Sequence, residues 1–177
     1  MTNNLIVSNV IRWVIIFILQ VLILKSIVIG WNGFNYISIL MYPMVIILLP
    51  VDLHVTISII ISFILGILID IFYGSLGVHA SACVFTAFIR PFILNYYEPK
   101  GGYALNLAPS KRKYGFNWFF RYASVLMLLH LFFYFSVEVF TYVYIGEILL
   151  KTFLSFFVFN AFCYNVSIFI RSRILKK

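Results

Sequence analysis

The feature that most constrains this chain is a series of long apolar runs that leave almost no stretch for a soluble domain. Of 177 residues, 64% are hydrophobic and 10% are charged, whereas a soluble domain is usually about a quarter charged. A membrane-spanning helix needs about 20 mostly apolar residues. The runs predict an all-α integral membrane protein with six transmembrane helices in one compact bundle, over residues 10–29, 36–51, 54–72, 76–97, 118–144 and 147–170.

Two of the predicted spans have unusual sequences. The second is short and contains Pro43, with Pro50 at its end, which is compatible with a broken or tilted helix buried against its neighbours. The first follows Arg12 and resembles a secretory signal. Its apolar stretch continues to Ile29, however, and no small-x-small cleavage pattern follows it. We therefore interpret the first span as a retained helix.

The basic residues are distributed unequally along the chain and predict its orientation. The net charge of +8 is concentrated in the basic loop, residues 98–117, and in the tail that begins at Arg171. With six spans these segments share one side, together with all but Lys25 and Lys151 of the thirteen Lys and Arg residues. The positive-inside rule places both termini in the cytoplasm. The basic loop is either a docking patch for membrane lipids or a partner, or a topology determinant only; we expect no nucleic acid.

A few ionisable residues lie inside the predicted spans, where a charge costs about 2.5–3.5 kcal/mol. Asp70 lies near the external end of the third span and His79 opens the fourth, so we expect the two to be neighbours. Glu138 reaches a similar depth, and His130 lies deeper on nearly the same face. These side chains could hold a metal or carry a proton, but their spacing is loose and no HExxH or GxSxG motif occurs. We expect structural polar groups, with no cofactor, no metal and no catalytic residue.

Small residues accompany these polar groups. Gly66, Asp70 and Gly74 follow at i, i+4 and i+8, so they share one face of the third helix, and Gly77 completes the turn. Small residues on one stripe permit close approach by another helix. The stripe is therefore a candidate contact surface for a partner.

The fourth span carries further residues of interest. Arg90 falls toward its cytoplasmic end, where the long side chain could reach the interface. Pro91 lacks a backbone donor and is expected to kink the helix. Cys83 and Cys163 lack the C-x-x-C spacing of a metal or redox pair, and we interpret both as small buried apolar side chains.

Three segments together resemble the MreD family of rod shape-determining membrane proteins: "LLP" at 48–50, "GILIDIFYGSLGVHASACVFTAFIRPFIL" and "WFFRYASVLMLLHLFFYFSVEVF". The most specific pattern is G-x-x-x-D-x-x-x-G-x-x-G-x-H-A, formed by Gly66, Asp70, Gly74, Gly77, His79 and Ala80. Arg90 with Pro91, and His130 with Glu138, support it. The first span and the tail resemble the family only in hydropathy and charge.

The resemblance implies a six-helix bundle similar to the S component of energy-coupling-factor transporters, located in the bacterial cytoplasmic (inner) membrane and acting without known catalysis. It also implies partnership with MreC, a single-span membrane protein, and through it with the RodA polymerase, its transpeptidase and the MreB filament. We hypothesise that Asp70 and His79 fix the external turn and that the Gly66 and Gly74 stripe receives the partner helix.

Two other classes of function remain open at this point. A solute-binding membrane subunit of a transporter is favoured by the broken second span and the fold likeness, and it would need a pocket with convergent polar groups. A lipid-modifying enzyme would need several acidic residues for a divalent metal, and Asp52 and Asp70 are the only aspartates. A membrane scaffold is the function that we expect.

Overall fold

The structure, a computed structural model, describes residues 2–31, 34–99, 101–103, 109 and 114–174. Within these residues six α-helices and one β-hairpin follow one another: α1 (Thr2–Leu22), β1 (Val28–Trp31), β2 (Phe34–Ser38), α2 (Pro43–Ile47), α3 (Val55–Tyr73), α4 (Val78–Tyr96), α5 (Phe116–Val139) and α6 (Ile145–Ile174). Short 3-10 turns precede β1 and α6.

Three of the helices, α3, α4 and α5, are long and apolar enough to cross a membrane. Their bounds agree with the third, fourth and fifth predicted spans to within a few residues, and α6 covers the sixth. The most extensive packing is between α3 and α4, followed by that of α4 with α5 and of α5 with α6. Many large apolar side chains on α3 are exposed: Ile57, Ile60, Phe63, Ile64, Ile67, Leu68, Ile71 and Phe72.

The all-α prediction is wrong at the end of the first predicted span. α1 ends at Leu22, and the apolar residues from Val28 onward form β1, which pairs antiparallel with β2. The backbone N–H of Ser38, the last residue of β2, donates to Ser155 Oγ on α6 at 3.1 Å, which attaches the hairpin to the bundle. A short apolar run is compatible with a helix or a strand, so periodicity alone could not distinguish them here.

The prediction of a helix over 36–51 is also wrong. Pro43 is the first residue of α2, a position at which proline is common. However, α2 has only five residues. An extended stretch precedes it and a turn through Pro50 follows it. We name residues 39–50 the crossing segment, because its two ends contact opposite ends of the bundle.

Three hydrogen bonds define the path of the crossing segment. Met41 N–H donates to Gln20, whose amide also donates to Tyr73, the last residue of α3. At the other end, the carbonyl of Leu49 accepts from Arg90, which lies twelve residues into α4. Because each helical residue adds 1.5 Å, the start of α4 and Arg90 are about 18 Å apart along the helix axis. The chain therefore traverses much of the bundle without forming a spanning helix.

The crossing segment forms the centre of the core. Its buried apolar residues are Leu40, Met41, Tyr42, Val45, Ile46, Ile47 and Leu49, each at most 5% exposed. Non-helical backbone at membrane depth is tolerated only where protein or a cavity surrounds it. The run is therefore apolar because it is a protein core, which hydropathy cannot distinguish from a lipid-facing helix.

Candidate functional site

The carboxylate of Asp70 caps a helix to which it does not belong. Its Oδ1 accepts from the backbone N–H of His79 at 3.1 Å, and its Oδ2 accepts from the backbone N–H of Ala80 at 2.9 Å. These N–H groups open α4 and have no partner within their own helix. The residue before α4, Gly77, has no side chain to cap them. Asp70 supplies the missing acceptor and places a negative charge at a helix N-terminus, where it is favourable.

Side chains complete this junction, which we name the Asp70 end of the bundle. Ser75 Oγ donates to Asp70 Oδ1 at 2.5 Å, and His79 Nδ1 lies 3.0 Å from the same oxygen. Gly74 adopts a left-handed conformation with φ 68°, which turns the chain so that Ser75 N–H bonds the carbonyl of Asp70. Asp70 and His79 are 6% and 1% exposed. The prediction that the two are neighbours is confirmed.

The imidazole of His79 lies among three tyrosines from three parts of the chain. Its ring centroid is 4.6 Å from Tyr73, 4.9 Å from Tyr134 and 5.5 Å from Tyr42. Since Asp70 is bound at Nδ1, the other nitrogen, Nε2, faces this aromatic surrounding. Nε2 has no hydrogen-bond partner among the described residues.

Gly66 explains how α4 can come close enough for its N–H groups to reach Asp70. A Cβ at this position would lie 2.3 Å from Ala80 Cα and 2.8 Å from Ala80 N. The first turn of α4 therefore occupies the surface above Gly66. Gly74, by contrast, has no atom within 4 Å of an added Cβ and is needed for its positive φ. The hypothesis that a partner helix packs on the stripe at Gly66 is wrong, because the chain's own helix covers it.

Glu138 is not brought into contact with Asp70 or His79. Its side chain is exposed and receives a long hydrogen bond, 3.5 Å, from the hydroxyl of Tyr134. Tyr134, which binds Glu138, also has its ring centroid 4.9 Å from that of His79. No group of three His, Cys, Asp or Glu side chains in the described part of the chain is arranged to hold a metal ion.

His130 lies one level deeper and binds the crossing segment. Its Nε2 is 2.8 Å from the hydroxyl of Tyr42, and its Nδ1 is 2.7 Å from Thr86 Oγ1. Thr86 donates its proton to the carbonyl of Ala82 at 2.7 Å, so it must accept from His130. The network therefore assigns a neutral imidazole with its proton on Nδ1, which accepts from Tyr42 at Nε2.

Arg90 marks what we name the Arg90 end of the bundle, and it is 2% exposed. Its Nε donates to the hydroxyl of Tyr122 at 3.1 Å, and its Nη2 donates to the carbonyls of Leu49 and Pro50. The expectation that this side chain extends to the membrane interface is therefore wrong. The buried carbonyls that follow α2 need donors, and Arg90 provides them. α4 continues through Pro91 to Tyr96.

Sequence reasoning missed several of these partners. Gln20 is fully buried and binds both the carbonyl of Ile39, at 3.1 Å, and the N–H of Met41, at 2.7 Å. A single amide inside "FILQVLIL" was the signal that could have identified it. Tyr42 and Tyr122 gave no such signal, because tyrosines are common at membrane interfaces.

Gln20, His130 and Arg90 share one role. Each comes from a different helix, and each binds the crossing segment, through its backbone or through the hydroxyl of Tyr42. A buried backbone group without a partner is costly. The polar side chains therefore let an irregular segment occupy the middle of an apolar bundle.

Part of the predicted basic surface lies outside the described residues, including Lys100 and the "KRK" run at 111–113. Within the described part, Tyr103 donates its hydroxyl proton to the carbonyl of Leu94 at 2.6 Å, and burial raises the pKa of Tyr103 to about 12. Cys83 is buried, as predicted, whereas the side chain of Cys163 is outside the described part.

Comparisons of the chain with models of protein families, with curated proteins and with solved structures found no match. Inference about function therefore depends on the residues of this chain and on their arrangement. The arrangement unites the residues of the glycine, aspartate and histidine pattern into one junction between α3 and α4.

Proposed function

We propose that the chain is a non-catalytic scaffold of the bacterial cytoplasmic membrane, similar to MreD, that helps to maintain rod shape. It links an MreC-like single-span protein and the peptidoglycan synthesis machinery, including the RodA polymerase and its transpeptidase, to the cytoplasmic MreB filament. The supporting observation is the Asp70 junction. All the residues of the family-like pattern, from Gly66 to Ala80, are used there to fix one helix against the next.

The polar chemistry at this junction favours a scaffold over an enzyme. Both oxygens of Asp70 accept hydrogen bonds from the chain itself, and His130 and Arg90 are engaged in the same way. A catalytic acid or base must reach the proton of a substrate. Side chains that already bind other groups of the chain instead specify the geometry of the bundle.

The proposed topology follows from the path of the crossing segment. We infer six crossings of the membrane, five by α1, α3, α4, α5 and α6 and one by the crossing segment inside the protein. An even number keeps both termini in the cytoplasm, as the positive-inside rule requires. The S component likeness is part of the same proposal, since a short irregular crossing at the centre of a bundle is compatible with it.

Complementation in a rod-shaped bacterium depleted of its own MreD tests the proposal. We expect the wild-type chain to restore rods and to co-purify with the MreC-like partner. Asp70→Asn should fail in both respects, because Asn keeps one acceptor oxygen but loses the second acceptor and the negative charge that hold the N–H groups of α4. Asp52 is exposed, so Asp52→Asn is the matched control and should behave as wild type. Round cells and no captured MreC-like protein with the wild-type chain would refute the proposal.

A solute-binding membrane subunit of a transporter is the second candidate, favoured by one observation. Nε2 of His79 has no partner among the described residues and faces three tyrosine rings. Such a surrounding could receive a small ligand if the tyrosines moved apart. In a deletion strain, loss of uptake of one nutrient with unchanged rod shape would support the transporter and exclude the scaffold.

A further inference from the structure

A small cavity of about 70 Å³ lies at the Arg90 end, far from the Asp70 junction. It is bounded by the first turn of α3, the last turns of α4 and the loop that contains Tyr103. Four polar side chains line it, Ser58, Arg90, Asn95 and Tyr103, and the remaining lining is apolar. A cavity of about 150 Å³ holds one benzene molecule. This cavity therefore has room for a group of a few atoms.

Arg90 forms no ion pair with a carboxylate in the described part of the chain. Its Nε and Nη2 bind a phenol and two backbone carbonyls, all of which are neutral. A buried cation without an opposite charge is unfavourable in a low-dielectric surrounding. An anion in the adjoining cavity would remove that cost.

Ser58 is a second, independent indication of a ligand. It lies in the first turn of α3, is 2% exposed, and lines the cavity. Serine in a helix often donates to the carbonyl four residues before it, but Ser58 Oγ has no partner in the described residues. A buried hydroxyl without a partner is costly unless something in the cavity accepts its proton.

The position of the cavity favours an anion over a neutral ligand. The N-terminus of α3, a helix of 19 residues, presents the positive end of its dipole here. Val55, the first residue of α3, is part of the lining. Tyr103 donates its proton to the carbonyl of Leu94, so it is not a donor to the anion, and Arg90 and Ser58 supply the contacts.

We propose that this cavity binds a phosphate group, with Arg90 as counter-charge and Ser58 as hydrogen-bond donor. The phosphate belongs either to the headgroup of an anionic phospholipid or to free inorganic phosphate. Both sources carry the same oxyanion, and the headgroup layer of a bilayer lies at the level of helix ends. The site is independent of any protein partner, so it can fail or succeed separately from the scaffold proposal.

The experiment uses the full chain, purified in detergent and reconstituted in nanodiscs. Inorganic phosphate is titrated into the detergent sample by calorimetry, and thermal midpoints are compared in nanodiscs of phosphatidylglycerol and of phosphatidylcholine. Binding of inorganic phosphate identifies a free-anion site. A higher midpoint in phosphatidylglycerol alone, with that lipid retained in native mass spectrometry, identifies a headgroup site. Either result supports the proposal.

Variants decide whether the cavity is responsible. Ser58→Ala removes a hydroxyl that stabilises nothing else in the described chain, so it should fold normally and bind about tenfold more weakly. Arg90→Gln should abolish binding; if it fails to fold, Ser58→Ala decides alone. Arg121 is exposed and does not line the cavity, so Arg121→Gln is the matched control. No phosphate binding and no lipid preference, or unchanged binding by Ser58→Ala, would overturn the proposal.

Discussion

At each end of the bundle a buried charged side chain binds backbone groups that lack other partners, and the two charges have opposite sign. At the Asp70 end, a carboxylate accepts from the N–H groups that open α4. At the Arg90 end, a guanidinium donates to the carbonyls that follow α2. The backbone partners of Asp70 lie nine and ten residues away, whereas the partners of Arg90 lie 32 to 41 residues away. One end is a local motif and the other is a product of the tertiary fold.

The ends also differ in how completely hydrogen bonds satisfy the charged side chain. Asp70 receives four hydrogen bonds, two from backbone N–H groups and two from the side chains of Ser75 and His79. Among the described residues, Arg90 is bound by neutral groups only, and it adjoins a cavity. A fully engaged charge fixes geometry. A partly engaged one leaves room for a ligand.

The largest effect should come from the contact on which the Asp70 end depends. Gly66→Leu places a side chain against the backbone of Ala80, which cannot move as the tip of a side chain can. We expect a loss of about 3 kcal/mol of stability, seen as loss of the monodisperse peak and a lower thermal midpoint in detergent.

The matched control for this change is Gly146→Leu. An added Cβ at Gly146 meets no atom within 4 Å, and its φ is not positive. We expect it to behave as wild type. A Gly66→Leu protein with the wild-type thermal midpoint would show that α3 and α4 do not pack as closely as described.

Arg90→Met should have the next largest effect. It leaves the carbonyls of Leu49 and Pro50 without donors, and each unsatisfied acceptor costs about 1–3 kcal/mol, offset in part by removal of a buried charge. We expect a net loss of about 2.5 kcal/mol, measured by unfolding in mixed micelles. The exposed control Arg121→Met should lose almost nothing. Equal stability of the two variants would mean that Arg90 does not hold the crossing segment.

Asp70→Asn should cost less, about 1.5 kcal/mol, because the amide keeps one oxygen that can accept from the donors around it. The loss should be local. Amide hydrogen exchange at His79 and Ala80 should accelerate, whereas exchange in α5 should not change. Asp52→Asn, the exposed control, should leave both unchanged. Slow exchange at both amides in Asp70→Asn would argue against capping by this carboxylate.

The difference between the two ends also explains what could be predicted from the sequence. The spans 54–72 and 76–97 and the pairing of Asp70 with His79 were predictable, because glycines, a short turn and a long apolar run are local features. The crossing segment was not, since a buried core segment and a membrane span have the same hydropathy. The expected position of Arg90 at the interface failed for a related reason. Its partners are carbonyls of a turn some 40 residues earlier, and no pattern of side chains indicates them.

Ser75→Ala should have the smallest effect and gives the finest comparison of the two ends. It removes one of the four hydrogen bonds to Asp70, and we expect a loss of about 0.5–1 kcal/mol. Ser81→Ala is the control, because within the described residues the Ser81 hydroxyl donates only to the carbonyl of Val78 in its own turn. In double-mutant cycles, Ser75→Ala should be coupled to Asp70→Asn and additive with Arg90→Met, since distant sites without shared partners act independently. An energetic coupling between Ser75 and Arg90 would show that the two ends are linked through the crossing segment and do not act independently.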